Sequence, residues 1–376
     1  MKKIPLINWC TRCVYPSSSA VPLYFDKDGV CIGCITAEEK KSINWSKRKK
    51  MLLDLVEPYR KSSGYECIVP VSGGKDSYFQ THFVIKELKL RPLLVTYNGN
   101  NFLEEGWENL QNMKNIFNTD HIIISPSTDL LIRLNRLGYI KCGDMNWHNH
   151  AGIFTSPIQV AVNYNIPLMF WGEHGWTEIG GMFSHYDFPE FTYRYRVDQN
   201  LRGYDWPDFV DNKVEKIQEH ELELFKYPSD DKIKKLGLRG IFLGSYNQWD
   251  TESNTNLIKK QYGWIESKKP FDRTYRKTSN LDDRYENGVH DYMKYIKFGY
   301  GRATDHSSKD IRAGRITREQ GVKFVKKYDH IEPNDLFHWL DYVSRDKKWF
   351  YKIANKFRDK KVWLKDKDQW IKMNIK

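Results

Sequence analysis

Ser72-Gly-Gly-Lys-Asp-Ser77 concentrates more chemistry than any other stretch of this sequence. It follows a short apolar run, Ile68 to Val71, and leads straight into YFQTHFVIKEL, which is apolar at helical spacing. Paired glycines let a backbone turn tightly and approach a ligand closely. The first N–H groups of the helix then meet an anion, helped by the helix dipole. Lys75 adds positive charge, Ser72 and Ser77 add hydroxyl donors, and Asp76 is suited to holding Mg2+, which bridges phosphates. A Walker loop needs four residues between its first glycine and Gly-Lys, so this is a different turn. The expectation is a phosphate-binding turn made by Ser72, Gly73, Gly74, Lys75, Asp76 and Ser77, with Lys75 and Asp76 catalytic. The alternative is a plain strand–turn–helix connection.

Cys10-x-x-Cys13 and Cys31-x-x-Cys34 stand 17 residues apart. Paired CxxC motifs at such spacing read as a tetrahedral zinc site. Four protein ligands leave no open position, so the zinc is expected to be structural and to staple a segment too short for its own core. Unrelated cysteines and an iron–sulfur cluster are the alternatives. Of the two remaining cysteines, Cys67 lies in a strand-like run and reads as a small buried hydrophobe. Cys142 lies in a Lys-Cys-Gly-Asp turn and stays open.

Three further groups are candidates. Cys142-Gly-Asp-Met-Asn-Trp-His-Asn-His150 is a polar, aromatic loop before a helix beginning near Ala151. Cys142, Trp147 and His148 are substrate-binding candidates there, and Asp144 is a catalytic one. His148 and His150 read as metal ligands, acid–base groups or hydrogen-bonded loop histidines. Glu173 follows a strand-like run in Trp171-Gly-Glu-His174, where strand ends line the ligand crevice of a parallel sheet. It reads as a catalytic carboxylate, a helix cap or a solvated charge. Arg302, Arg312 and Arg315 lie among glycines in GYGRATDHSSKDIRAGRITREQG. Arginine forks bind phosphate or carboxylate, so these three are substrate-binding candidates; a surface turn with solvated charges is the alternative.

These residues need elements to position them. Strand-like runs (ECIVPV, RPLLVTYN, DHIIISPS, PLMFWGEH) alternate with helical segments at 104–117, 128–137 and 152–164. That alternation predicts an α/β domain, a parallel sheet with helices on both faces. IFLGSYNQWD, from Ile241, is a candidate further strand, and 180–235 reads as an irregular insertion or lid. The division is 1–60, a zinc-binding module with a basic helix over 40–50; 61–250, the sheet domain; and 251–376, a basic, mainly helical region with helices at 288–298, 317–328 and 333–343. The 376 residues are 40% hydrophobic and 15% aromatic, a globular composition rather than a disordered one. With 60 Lys and Arg against 48 Asp and Glu, the net charge of +12 favours polyanionic partners without choosing among them. No run approaches the ~20 apolar residues of a membrane span, and the first ten residues lack a secretory apolar core. A cytoplasmic location is expected.

SGGKDS between strand and helix resembles the PP-loop ATPases, of the adenine-nucleotide alpha-hydrolase kind. The whole chain resembles the N-acetyl sugar amidotransferases of bacterial surface-polysaccharide synthesis, through CTRCVYP…CIGC, SGGKDS, KCGD, FLGSYNQWD and YIKFGYGRATDHSSKDIRAGRITRE. GDMNWHNH and WGEHGW depart from the family pattern, which bears on the sugar more than on the reaction. The resemblance implies an ATP- and Mg2+-dependent enzyme with structural zinc. It would convert an acetamido group of a sugar or nucleotide-sugar to acetamidino during lipopolysaccharide or O-antigen synthesis. Ammonia would come from glutamine through partners similar to the glutaminase and cyclase pair of histidine biosynthesis. The rival is a tRNA-modifying PP-loop enzyme of the thiolase kind; sulfur transfer usually needs a pair of catalytic cysteines or three for a cluster, and of the two available, Cys67 and Cys142, the first reads as core, so nucleic acid is not the expected partner.

Overall fold

In the computed structural model the described residues are 3–376, without 22, 100, 193, 194, 211 and 212. The N-terminal segment carries the cysteines, then α1 (Ile32–Glu39) and α2 (Trp45–Val56). The basic helix starts later than expected because Asn44 caps it, its side chain accepting from Lys47 N at 2.9 Å.

Strands β1 (Cys67–Pro70), β2 (Pro92–Tyr97), β3 (His121–Ile124), β4 (Leu168–Trp171) and β5 (Arg239–Phe242) form one parallel sheet in the order β3-β2-β1-β4-β5. The helices around it are α3 (Lys75–His82), α4 (Glu104–Phe117), α5 (Thr128–Cys142), α6 (Trp147–Tyr164), α7 (Gly175–Gly180), α8 (Asp230–Leu236) and α9 (Thr251–Tyr262). Alternate strand residues face opposite layers, as a pleated strand requires. Cys67, Val69, Leu94, Phe170 and Ile241 pack with residues of α2, α3, α4 and α9. Ile68, Val95, Met169 and Phe242 pack with Ile158 and Ala161 of α6. Both faces are therefore covered, which is why the strands read as nearly continuous apolar runs.

The rest is mainly helical: α10 (Glu286–Phe298), α11 (Arg302–Arg312), α12 (Arg318–Tyr328), α13 (Asp335–Tyr342) and α14 (Lys347–Ala354). Residues of α10, α13 and α14 build a separate core around Met293, Trp339 and Phe350, joined by Tyr139 of α5. An antiparallel hairpin follows, β6 (Trp363–Asp366) with β7 (Gln369–Lys372). The sequence reading missed it because lysines and aspartates dominate WLKDKDQWIK and hide its period.

Two local expectations change. α6 begins at Trp147, not near Ala151, so Trp147 and His148 belong to a helix turn rather than a loop. The segment read as glycine and arginine is a helix, α11, in which Thr304, Asp305, His306, Ser307, Ser308 and Asp310 are all buried. It is no surface turn.

Gly152 shows how tightly α6 sits on the sheet. A Cβ there would lie 2.2 Å from the Tyr97 ring. Helix propensity favours Gly152→Ala by about 0.5–1 kcal/mol, but overpacking costs about 1–3 kcal/mol. The overlap is expected to win, with a net loss of stability read from the urea midpoint at unchanged m.

Candidate active site and cysteine centre

The sheet order reverses at β1, which has β2 on one side and β4 on the other. Ligand crevices open at such a switch point, beyond the carboxyl ends of the strands. The connections leaving β1 and β4 carry Ser72–Gly74 and Gly172–His174.

Gly73 has φ +72°, and a Cβ on it would fall 2.7 Å from the backbone nitrogen of Leu110. Only glycine fits. Trp264 Nε1 donates to the Gly73 carbonyl at 2.9 Å and pins the turn. Gly74 is the N-cap of α3 and offers no side chain to its N–H groups. Ser72 N donates to Ser77 Oγ at 2.9 Å, and Lys75 pairs with Asp76. The turn thus presents backbone donors, two hydroxyls and a lysine at the crevice, an arrangement suited to phosphate.

Glu173, across the crevice, pairs with Lys309 of α11. Burial pushes the Glu173 carboxyl up, but Lys309, with Lys40 and Lys75 beyond it, outweighs burial and holds it below the usual carboxylate range. Burial likewise pulls the Lys309 ammonium down, while Glu173, Glu178 and Asp76 hold it above its ordinary value. Both members are therefore charged, and both feel the charges of the glycine turn. The helix-cap reading of Glu173 fails, since His174 Nδ1 caps α7 by accepting from Thr177 N at 3.3 Å.

Two cavities open here. One of about 270 Å³ is lined by Ser72, Ser77, Tyr97, His150, Asp282 and Arg302, among others. Arg302 is held in it by Asp291, at 2.9 Å. Burial pushes the Asp282 carboxyl up, partly offset by Lys75 and Arg302. The other cavity, of about 350 Å³, is lined by Asp144, Trp176, Arg202, Lys294 and Lys297. His290 lines both. Burial lowers the Lys297 ammonium to about 8.

The other candidates divide. Asp144 lies in the second cavity, paired with Arg202 and accepting from His290 Nδ1 at 2.8 Å. Cys142 is beside it; its carbonyl accepts from Lys297 Nζ at 2.9 Å, and burial, then Asp144, raises its thiol to about 12. Trp147 stacks on Phe209 in the core, and His148 is fully buried between Glu286, at 2.9 Å, and the Tyr97 hydroxyl, at 2.9 Å. Neither lines either of these two cavities. Arg315 bonds Asp310 and Asp250 instead. Arg312 donates to the carbonyls of Glu178 and Ile179 at 2.8 Å each, and its other nitrogen approaches Cys31 Sγ at 3.5 Å. Sequence reasoning did not select Lys309, His290, Lys294 or Lys297. Lys297 and Lys309 were visible only as charges in the string that contains Arg302, and His290 and Lys294 lie before it.

The four cysteine sulfurs are buried and lie within 4.8 Å of one another. Cys31 N donates to Cys10 Sγ at 3.2 Å and Cys13 N to the same sulfur at 3.4 Å. Four sulfurs in one buried cluster, with backbone donors and an arginine that would balance the charge of four thiolates, fit tetrahedral zinc. Tyr15, Tyr300, Ile179 and Ile311 pack around them, tying the cluster to α7 and α11.

Residues 273–376 match the family described as LPS biosynthesis protein WbpG-like, C-terminal domain, so the chain carries a WbpG-like C-terminal domain. An uncharacterized protein of Methanocaldococcus jannaschii, MJ1599, is 29% identical over 135 residues, 35% of this chain and 48% of that protein. The match thus spans about half of that relative. Among solved structures, the NH3-dependent NAD synthetase of Campylobacter jejuni has TM-score 0.30 and 13% identity, covering 52% of this chain and 92% of the other. The U34-tRNA thiolase NcsA of Methanococcus maripaludis, with its [4Fe-4S] cluster, has TM-score 0.34 and 12% identity, covering 82% and 87%. No helix among the described residues is long and apolar enough to cross a membrane.

Arg312→Met is expected to weaken zinc binding about tenfold, since it removes a donor to the ligand sulfurs. Arg315→Met, bonded elsewhere, is the control and should leave zinc affinity unchanged. Competition with a chromophoric chelator measures both.

Proposed function

We propose that this chain is an ATP-dependent amidotransferase that converts the acetamido group of a sugar or nucleotide-sugar to acetamidino. The observation that carries this reading is the glycine turn at the switch point, with uncapped helix N–H groups beside a cavity that adjoins a second, cation-lined cavity. The WbpG-like domain supports the link to lipopolysaccharide synthesis, and it contributes Arg302, Lys309, His290, Lys294 and Lys297 to the same region. In this reading residues 1–60 staple the fold, 61–250 grip the nucleotide, and 251–376 complete the sugar side.

An amide is a poor electrophile with a poor leaving group. The amide oxygen attacks the alpha phosphorus of ATP; the new O–P bond forms as the bond to pyrophosphate breaks. Ammonia then adds to the imidate carbon, the C–O bond to AMP breaks, and a proton is lost to leave the amidine. The Ser72–Ser77 turn holds the phosphates, and Lys75 offsets charge building on the departing pyrophosphate. Asp76 would hold Mg2+, which supplies further charge neutralisation. In this reading the Glu173–Lys309 pair orients the reacting groups, and the Glu173 carboxylate takes up the proton lost after ammonia adds. Glutamine, through a glutaminase and cyclase-like pair, is the ammonia source in this proposal.

The thiolase rival has little here to work with. Cys67 is fully buried with its thiol pushed well up by burial, and Cys142 is raised to about 12, so neither favours the thiolate.

Incubation with ATP, Mg2+, ammonium chloride and candidate N-acetyl sugars should release AMP and pyrophosphate and lower the sugar mass by about 1 Da, the difference between O and NH, seen by mass spectrometry. Lys75→Ala should cut AMP release by about 100-fold or more. Unchanged release in that variant would remove the assignment of the turn.

Lys297 makes a second, pH-based expectation. Its ammonium is charged below about 8 and neutral above. KM for a carboxylated sugar should therefore rise as pH passes that value, while Lys297→Met should show a high KM with that rise flattened.

A further inference from the structure

Asp144, His150 and His290 each bring one ligand atom within 4.8 Å of the other two. We propose that they bind a divalent first-row transition-metal ion at the junction of the two cavities, with open coordination positions for a substrate oxygen. The inference does not rest on the nucleotide reading.

Three different elements supply the donors. Asp144 stands in the turn after Gly143, a left-handed residue that ends α5. His150 is in the first turns of α6, and His290 is in α10. Two imidazole nitrogens and one carboxylate oxygen suit a borderline cation such as Zn2+, Co2+, Mn2+ or Fe2+. Three protein ligands leave coordination positions open, as catalytic rather than structural sites do. The open side has room: Asp144 and His290 line the larger cavity, and His150 and His290 the smaller.

The carboxylate is already oriented. Asp144 is 3% exposed, and its Oδ1 accepts from Asn146 N at 3.1 Å and from His290 Nδ1 at 2.8 Å. Its Oδ2 is taken by Arg202. Ligating carboxylates commonly carry such an outer partner on the second oxygen. Metal–ligand bonds of about 2.0–2.2 Å set donor atoms roughly 3–4 Å apart, so His290 must move from Asp144 by less than about 1 Å. Two cations face the site and oppose an ion. Arg202 has a side chain 42% exposed and can lean into water. Lys297 Nζ is directed to the Cys142 carbonyl at 2.9 Å.

The test uses the full chain with zinc in its cysteine centre, titrated with Co2+ alone. Bound cobalt is counted after dialysis, and thiolate-to-cobalt absorption reports any exchange into the cysteines. The expected result is about one cobalt per chain without thiolate absorption. Its affinity should fall at least about tenfold in His150→Ala and in Asp144→Asn, and stay unchanged in His330→Ala, an exposed histidine elsewhere. Cobalt binding by the unaltered protein only with thiolate absorption, or not at all, overturns the proposal without any variant. Equal affinity in both site variants overturns it as well.

Discussion

Burying charge is tolerable only when each charge meets a partner, and every charged side chain of α11 meets one. Its eleven residues span about 16 Å, at about 1.5 Å per residue. At one end Arg302 is held by Asp291 beside the smaller cavity. Near the middle Asp305 takes Lys294 and the Tyr15 hydroxyl, and Lys309 meets Glu173 at the end of β4. At the other end Arg312 lies against the cysteine sulfurs. One helix thus fixes the distance between the cysteine centre, the strand-end carboxylate and the cavity. Loosening any pairing leaves a buried charge exposed to nothing, so the set holds together or fails together.

The sheet supplies the complementary rigidity. Because β1 lies between β2 and β4, the chain must leave in opposite directions, and a crevice opens between the two departures. Gly73 can approach Leu110 closely only because it lacks a side chain, and that approach turns the first N–H groups of α3 toward the crevice. Lys75 and Asp76 then sit within electrostatic reach of Glu173 and Lys309. The two halves of the site come from opposite ends of the chain and meet across one gap.

Much of the fold was readable from local pattern. Four apolar runs alternating with helical stretches predicted the parallel sheet, and the doubled CxxC predicted the cysteine cluster. The misreadings near the site share one cause. His148 and Trp147 looked like loop residues because they are polar or aromatic near a glycine. Both are buried in α6: Glu286, over a hundred residues away, pairs with His148, and Phe209 stacks on Trp147. The α11 string left a binding segment and a surface turn both open for the same reason: its charges are visible in the sequence and their partners are not. Arg312 looked like a ligand-binding arginine, and its position beside the thiols follows from contacts with a segment 281 residues earlier.

Alone, the amino-acid order determined what local geometry and short spacing can carry: a glycine turn between strand and helix, two paired-cysteine motifs, and the alternation that makes a parallel sheet. These depend on backbone sterics and on neighbours a few residues apart. Tertiary structure decided which charges are paired, which face a cavity, and that His290, Lys297 and Lys309 join residues from the sheet domain. Such outcomes depend on long-range packing, where burial and a distant counter-charge set the environment of a side chain, and no short stretch of sequence contains both partners.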